Sequence, residues 1–285
     1  MSGIRHLRIE PVPAERSPVA PAQSVTVDAA LLASVVAALG GEDFYAALRA
    51  FINGIVRIDN CVALVFDRQG PPLILHQWSP QQPNYFQMLY SQGAYTLDPF
   101  YRASLDERRD GVMLLKDIAP DGFGESDFYK AYYEKVNMID EIGLLCPVDE
   151  QRTMHLSLGR RCNSCIYAAD DLAHVKRLRP LLSTLLLKQY HLQDAGRDAA
   201  GHQAPEHAGQ WLKPFHVTAR EAEIADMILR GHSNASMGVI LAISAETVKV
   251  HRKNLYAKMR ISSQAELFQL FISHILPQRA GQPLA

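Results

Sequence analysis

The residues with the clearest chemical use lie between positions 245 and 260. Five cations, Lys249, Arg252, Lys253, Lys258 and Arg260, stand there against a single acid, Glu246. Val248, Leu255 and Met259 recur at intervals of seven and four, the stripe of an amphipathic helix, and the cations lie off that stripe. Ser244 can cap this helix, and Glu246 falls in the first turn, where the helix dipole favours an acid. A basic outer face suits a polyanion. Lysine donates to guanine, an apolar side chain meets a thymine methyl, and the remaining cations hold phosphates. The charge of the chain is distributed accordingly. Residues 211–285 carry 9 Lys/Arg against 5 Asp/Glu, whereas residues 1–210 carry 20 against 25.

A second group is suggestive in a different way. Tyr85, Tyr90 and Tyr95 precede Asp98-Pro99, with Trp78 upstream and Glu141 downstream. A carboxylate among aromatic rings is expensive unless paired. Such a site accepts hydrogen bonds from an amide or ammonium group while the rings enclose the rest. Asp98, Tyr85, Tyr90, Trp78, Tyr95 and Glu141 are therefore the candidate ligand residues, for a small molecule with an N–H or a cationic nitrogen. The alternative is that Asp98 caps the turn before Pro99 and the aromatics are core. Cys162-Asn-Ser-Cys165 is a lone pair of thiols without the two further ligands that zinc needs, so a surface hairpin is expected and a redox role stays open. Cys61, Cys146 and His155 fall in strand-like runs and read as core, His155 with the option of facing a groove. No catalytic group and no metal or cofactor site is expected. There is no Gly-x-Ser-x-Gly elbow, phosphate loop or metal-ligand run.

These residues need elements to hold them. Apolar periodicity predicts helices over 25–40, from Asp43 to Ile55, over 83–94, from Ser126 and from Asp170 to about Leu192. Cys61–Phe66 and Leu73–Trp78 read as one strand pair across Asp67–Pro72, and Glu141–Val148 with Thr153–Leu158 as another; residues 95–125 read as irregular. Locally paired strands with grouped helices give an α+β class with an antiparallel sheet between helices, comparable to GAF and PAS sensor domains. Residues 211–276 are all helical. Thr218 and Glu221 form a capping box, Ser233 or Asn234 starts a short helix, and Ser244 starts the basic one, which is a helix-turn-helix. The expected organisation is a leader at 1–24, a ligand-sensing and dimerisation domain at 25–192, a linker at 193–210, the DNA-binding domain at 211–276 and a tail at 277–285.

Thr218-Ala-Arg-Glu221, Gly231-His-Ser-Asn234, Leu241-Ala-Ile-Ser244, Thr247-Val-Lys-Val-His251 and Lys258-Met259 resemble the LuxR-type helix-turn-helix. The resemblance implies base reading by Lys249, Val250 and Lys253, and phosphate contacts by Thr247, Arg252, Asn254 and Lys258. It also implies a dimer contact on the last helix, through Leu267, Leu270 and Phe271. The scaffold helix departs from that family's pattern: Ala235-Ser-Met-Gly238 replaces the usual Lys-Glu-Ile-Ala, and Ala242 replaces the turn glycine. Around Asp98 the chain is similar to autoinducer-binding domains, with the spacing off by about one residue. The stretches Tyr95–Tyr101, Ser126–Tyr133, Asp140–Gly143 and Leu156–Arg160 look more like sensor domains found ahead of this helix-turn-helix in proteobacterial regulators. No phosphorylatable receiver pattern is present. The resulting expectation is a cytoplasmic, homodimeric transcription regulator that binds double-stranded DNA and a small effector, meets RNA polymerase and has no membrane segment. The alternatives are a constitutive dimer controlled by a protein partner, or an enzyme with a partner-binding tail.

Overall fold

The computed structural model describes residues 25–78, 90–106, 110–194 and 210–275. The expected leader and tail, and all but the ends of the expected linker, lie outside the described residues. So does most of the helix expected over 83–94.

The chain opens with helices α1 (Ala29–Ala37) and α2 (Phe44–Asn53). Asp28 caps α1 by accepting from Ala30 and Leu31, whereas Asp43, at the start of α2, makes no side-chain cap bond. Strands β1 (Asn60–Asp67) and β2 (Leu73–Trp78) follow, then helix α3 (Pro99–Ser104), strand β3 (Gly111–Leu114) and the single turn α4 (Leu115–Ile118). Helix α5 (Asp127–Tyr132), strands β4 (Met138–Pro147) and β5 (Arg152–Arg161) and the long helix α6 (Ala169–Asp194) complete the first module. Strand β3 corrects the irregular reading of 95–125. It has four residues, the first a glycine, too few to show a period, and it forms by pairing with β4.

The described strands form one antiparallel sheet in the order β2-β1-β5-β4-β3. Two hairpins thus meet along β1 and β5, a pairing that no local turn announces. Side chains alternate between the faces. Cys61, Ala63, Val65, Ile142, Leu144, Met154, Leu156 and Leu158 pack under α1, α2 and α6. Gln189 of α6 ties this layer to the α1–α2 turn: its carbonyl accepts from Gly40 N–H at 2.6 Å and its amide donates to Gly41 at 3.1 Å. The opposite face carries Asn60, Val62, Leu64, His155, Ser157 and Glu141, under the aromatic residues of α3 and α5.

The second module is helical: α7 (Ala219–Arg230), α8 (Asn234–Leu241), α9 (Ala245–Met259) and α10 (Gln264–Ile275). The capping box of Thr218 and Glu221 forms, and Ser233 and Ser244 cap α8 and α9. Ala242 adopts φ 54° and ψ 43°, the left-handed conformation in which the resembling family places glycine. Leu267 and Phe271 are buried in this module's own core, Phe271 edge-on to Trp211 at 5.6 Å, and Leu270 is half-buried. The expectation that Leu267 and Phe271 face a second copy is therefore corrected. Their apolar area packs towards α7 and Trp211. No helix among the described residues is long and apolar enough to cross a membrane.

Candidate functional site

Two sites emerge, a cavity on the sheet and the outer face of α9. The cavity is small and narrow, about 40 Å³. Its floor is the sheet face of Asn60, Val62, Leu64, Gln77, His155, Ser157 and Glu141, and its roof is Tyr90, Asp98, Phe128, Tyr132 and Tyr133. Gly143 makes the roof possible, because a Cβ there would collide with the ring of Phe100.

Asp98 does both things that the sequence allowed. It caps α3, accepting from Phe100 N–H at 2.7 Å, and it lines the cavity, where Tyr90 donates its hydroxyl to the other oxygen at 2.5 Å. Burial pushes its carboxyl up to about 6, against the Tyr90 and backbone hydrogen bonds that favour the ion. Glu141 accepts from the hydroxyls of Ser157 and of Tyr133, the latter at 2.9 Å. Burial, reinforced by the charge of Asp98, pushes it up to about 8. His155 stacks on Phe100 at 4.7 Å and Phe66 at 5.3 Å, and burial pushes its imidazole down to about 3. The cavity thus presents a pair of carboxyls, a neutral imidazole and several aromatic rings, which accommodates a nitrogen cation or an N–H donor.

Of the six candidate ligand residues, Asp98, Tyr90 and Glu141 line this cavity. Tyr95 does not. It is buried behind Tyr90, donates its hydroxyl to Gly70 at 3.2 Å and meets Tyr101 edge-on at 4.8 Å. Trp78 is on the other face of the sheet, under the Arg49 guanidinium at 4.1 Å. Its neighbour Gln77 pairs with Val62 and faces the cavity, so period-two alternation turns Trp78 away. Tyr85 lies outside the described residues. Sequence reasoning missed Asn60, Gln77, Ser157, Tyr132 and Tyr133, and read His155 as core or groove-facing. The available signal was polar residues in step on apolar strands, at Asn60 and at His155 and Ser157.

On α9, Lys249, Val250, Lys253 and Asn254 are exposed, and Thr247 and Arg252 are half-buried. Val250 is 57% exposed between Lys249 and Lys253, the placement that contact with a thymine methyl needs. Arg252 rests on Tyr256 and donates to its hydroxyl at 3.2 Å. Lys249 pairs with Glu246 at 2.7 Å, an exposed contact that water and DNA can replace. Lys258 instead donates to the buried Glu221 at 2.7 Å, so part of its charge ties α9 to α7.

The two modules touch through residues 121–132 and at Gly93. Asp121 accepts from the Ser233 N–H at 2.9 Å and from its hydroxyl at 2.5 Å, which holds the Asp121 carboxyl below the usual carboxylate range. Gly122 lies against Gly231; a Cβ on Gly122 would stand 2.7 Å from the Gly231 carbonyl oxygen. Helix α5 packs on α7 and α10, and Gly93 meets Ile275 at the end of α10.

The comparisons with known proteins agree with this geometry. Residues 216–271 match the model of bacterial regulatory proteins of the luxR family. An HTH-type transcriptional regulator in the exeN 3′ region of Aeromonas salmonicida is 30% identical over 192 residues, which cover 65% of this chain and 97% of that protein. The monoamine regulon transcriptional regulator of Klebsiella aerogenes is 41% identical over 54 residues, 19% of this chain and 24% of that protein. Among solved structures, the VqsR LBD domain from Pseudomonas aeruginosa is 32% identical with a TM-score of 0.53, covering 58% of this chain and 96% of that one. A helix-turn-helix with an exposed basic helix, behind a sheet-and-helix module with a lined cavity, and a relative matched over nearly its whole length place this chain in the LuxR family of DNA-binding bacterial transcription regulators.

Proposed function

We propose that this regulator acts as a homodimer and is controlled by a small nitrogen-containing ligand bound between Asp98 and Glu141. The observation that carries the reading is that one segment serves both sites. Phe128, Tyr132 and Tyr133 roof the cavity, while Asp121, Gly122 and Phe123, a few residues before them, hold the helix-turn-helix. Phe123 is within 5.5–6.1 Å of the rings of Phe128, Tyr129 and Tyr133, so the roof and the hold move as one aromatic stack. The free cavity, about 40 Å³, has room for only a few waters. A larger ligand displaces the roof, binds the packed arrangement less well than the released one and shifts the population towards release.

Release matters because α10, the helix expected to meet a second copy, packs here on its own α5. In this reading Lys249, Val250 and Lys253 read bases, and Thr247, Arg252, Asn254 and, in part, Lys258 position the duplex. Residues 25–192 are the sensing unit and 211–276 the DNA-binding unit. The setting is the cytoplasm, with RNA polymerase as the downstream partner.

The test is a thermal-shift screen of the full chain and of Asp98→Asn against amines, amino acids and acyl-amides. Asparagine still caps a helix, so the variant keeps its fold. A ligand at about 100 times its dissociation constant adds about 2.7 kcal/mol, which is several degrees. The shift is expected in the wild type and lost in Asp98→Asn. A folded wild type that responds to none of them favours control by a protein partner. Lys249→Ala and Lys253→Ala should each cost about 1–3 kcal/mol on the specific site and relax its sequence preference. Equal losses on random DNA would assign both to phosphates.

A further inference from the structure

The cavity contains more polar chemistry than the carboxyl pair uses. Asn60 Oδ1, Gln77 Oε1 and both ring nitrogens of His155 are buried and have no hydrogen-bond partner among the described residues. All three side chains line the same cavity. Folded proteins pair nearly all of their buried polar atoms, and an orphan of this kind asks for an explanation. Four orphans around one space call for a common partner that enters it.

Their positions give the ligand a shape. Asn60 and Gln77 are on β1 and β2, at one side of the sheet face, while Glu141 is on β4. The strand order puts β1 and β5 between β2 and β4, so the Gln77 and Glu141 backbones are three strand spacings apart, roughly 14 Å. The Asn60 amide hydrogen already points to the Met138 sulfur at 3.7 Å, which leaves its carbonyl for the cavity. Amide carbonyls only accept. Val62 lies between Gln77 and Ser157 in the sheet row, and with Tyr90 and Phe128 it makes an apolar waist.

We propose that Asn60 and Gln77 form a second anchor, and that the ligand is a small bifunctional amine with hydrogen-bond donors at both ends. One end is the nitrogen held by Asp98 and Glu141, so this inference rests on the function proposed above. The other end is an amine, hydroxyl or primary amide on the Asn60 and Gln77 carbonyls. The neutral imidazole of His155 has one donor and one acceptor for a group that offers both, as a hydroxyl or an amide does.

The experiment is calorimetric titration of the full chain with two pairs of probes: 1,4-diaminobutane and 4-aminobutan-1-ol against n-butylamine and n-pentylamine. The bifunctional probes are expected to bind about tenfold or more tightly than the monoamines. Gln77→Leu and Asn60→Leu should remove that advantage by weakening the bifunctional probes about tenfold and n-butylamine far less, whereas Asp98→Asn should lose all four. The melting temperature of ligand-free Gln77→Leu should stay level or rise, because an unpaired acceptor has been removed. A fall of several degrees would mean that this carbonyl already has an internal partner, and would overturn the second anchor. Equal binding of mono- and bifunctional probes, or an advantage that survives both leucine variants, would overturn it while leaving the Asp98 reading in place. If none of the four probes binds the wild type, the bifunctional-amine ligand is overturned, while the nitrogen-ligand reading still stands or falls on the amino acids and acyl-amides of the thermal-shift screen.

Discussion

Ala242 and Glu141 show what a single position costs in this molecule. Ala242 ends α8 with φ 54°, where a Cβ crowds the following carbonyl. Glycine at this position relieves that crowding, and the Ala242→Gly variant should be stabilised by about 1 kcal/mol, read as a higher urea midpoint at unchanged slope. A lower midpoint would mean that the turn carries no strain. Glu141 has a different signature. The fold keeps it protonated to about pH 8, while its ordinary value is 4.5, so between these the folded state binds the extra proton and stability falls as pH rises. His155 acts in the opposite sense between about 3 and 6.5, because the fold keeps it neutral, whereas Asp98, raised like Glu141, acts in the same sense as Glu141 from 3.8 to about 6. From pH 6.5 to 8 Glu141 therefore dominates the three. The urea midpoint should decline over that window and level off above it, and Glu141→Gln should flatten the decline. The same slope in Glu141→Gln would remove Glu141 as its source.

At the scale of elements, the informative one is the stretch from Asp121 to Tyr133. Gly122 has an ordinary φ of −104°, so a larger residue there strains nothing within its own turn and collides only with the Gly231 carbonyl of the other module. Gly122→Val should separate the modules while each keeps its fold. Amide hydrogen exchange should rise at Ser233 and along α10, with the sheet unchanged; unaltered exchange at both would show that this contact does not hold the modules together. The sequence showed the parts of this arrangement unequally. Hairpins, caps and the basic helix were legible because each depends on neighbours in the chain: Thr218 on Glu221, Ser244 on Thr247, one strand on the next. The β1–β5 pairing, the strand at Gly111 and the approach of Asp121 to Ser233 depend on residues far apart in sequence, which local period and turn chemistry do not encode. The site divides in the same way. Asp98 and Tyr90 were found because they are eight residues apart on one aromatic segment, whereas Trp78 was misplaced because one step along a strand reverses the face.

At the scale of the whole molecule, the homodimer proposed above sets two surfaces in competition for one helix. Helix α10 either stays on α5 of its own chain, as here, or is free to meet a second copy on a two-fold DNA site. The two Asp121–Ser233 hydrogen bonds contribute about 0.5–1.5 kcal/mol each, and the apolar contact at Ile275 adds to them, so a packed arrangement favoured by about 2–3 kcal/mol is reasonable. Each 1.4 kcal/mol is a factor of ten, which makes the competent fraction about one in thirty to one in a hundred per protomer. A dimer needs two such protomers, so release should matter more for paired binding than for any contact of a single helix. Lys249, Val250 and Lys253, the proposed base readers, stay exposed in the packed arrangement, and single-module binding to a half-site should therefore be almost indifferent to release. The expected outcome is a selective gain: Gly122→Val, or a bound ligand, tightens binding to a two-fold site by tenfold or more and leaves a half-site nearly unchanged. Analytical ultracentrifugation with labelled duplexes reads both quantities, because one and two protomers on a duplex sediment differently. A gain of equal size on the half-site would mean that packing hides α9 itself, and an absence of gain on both would mean that α10 pairs without leaving α5.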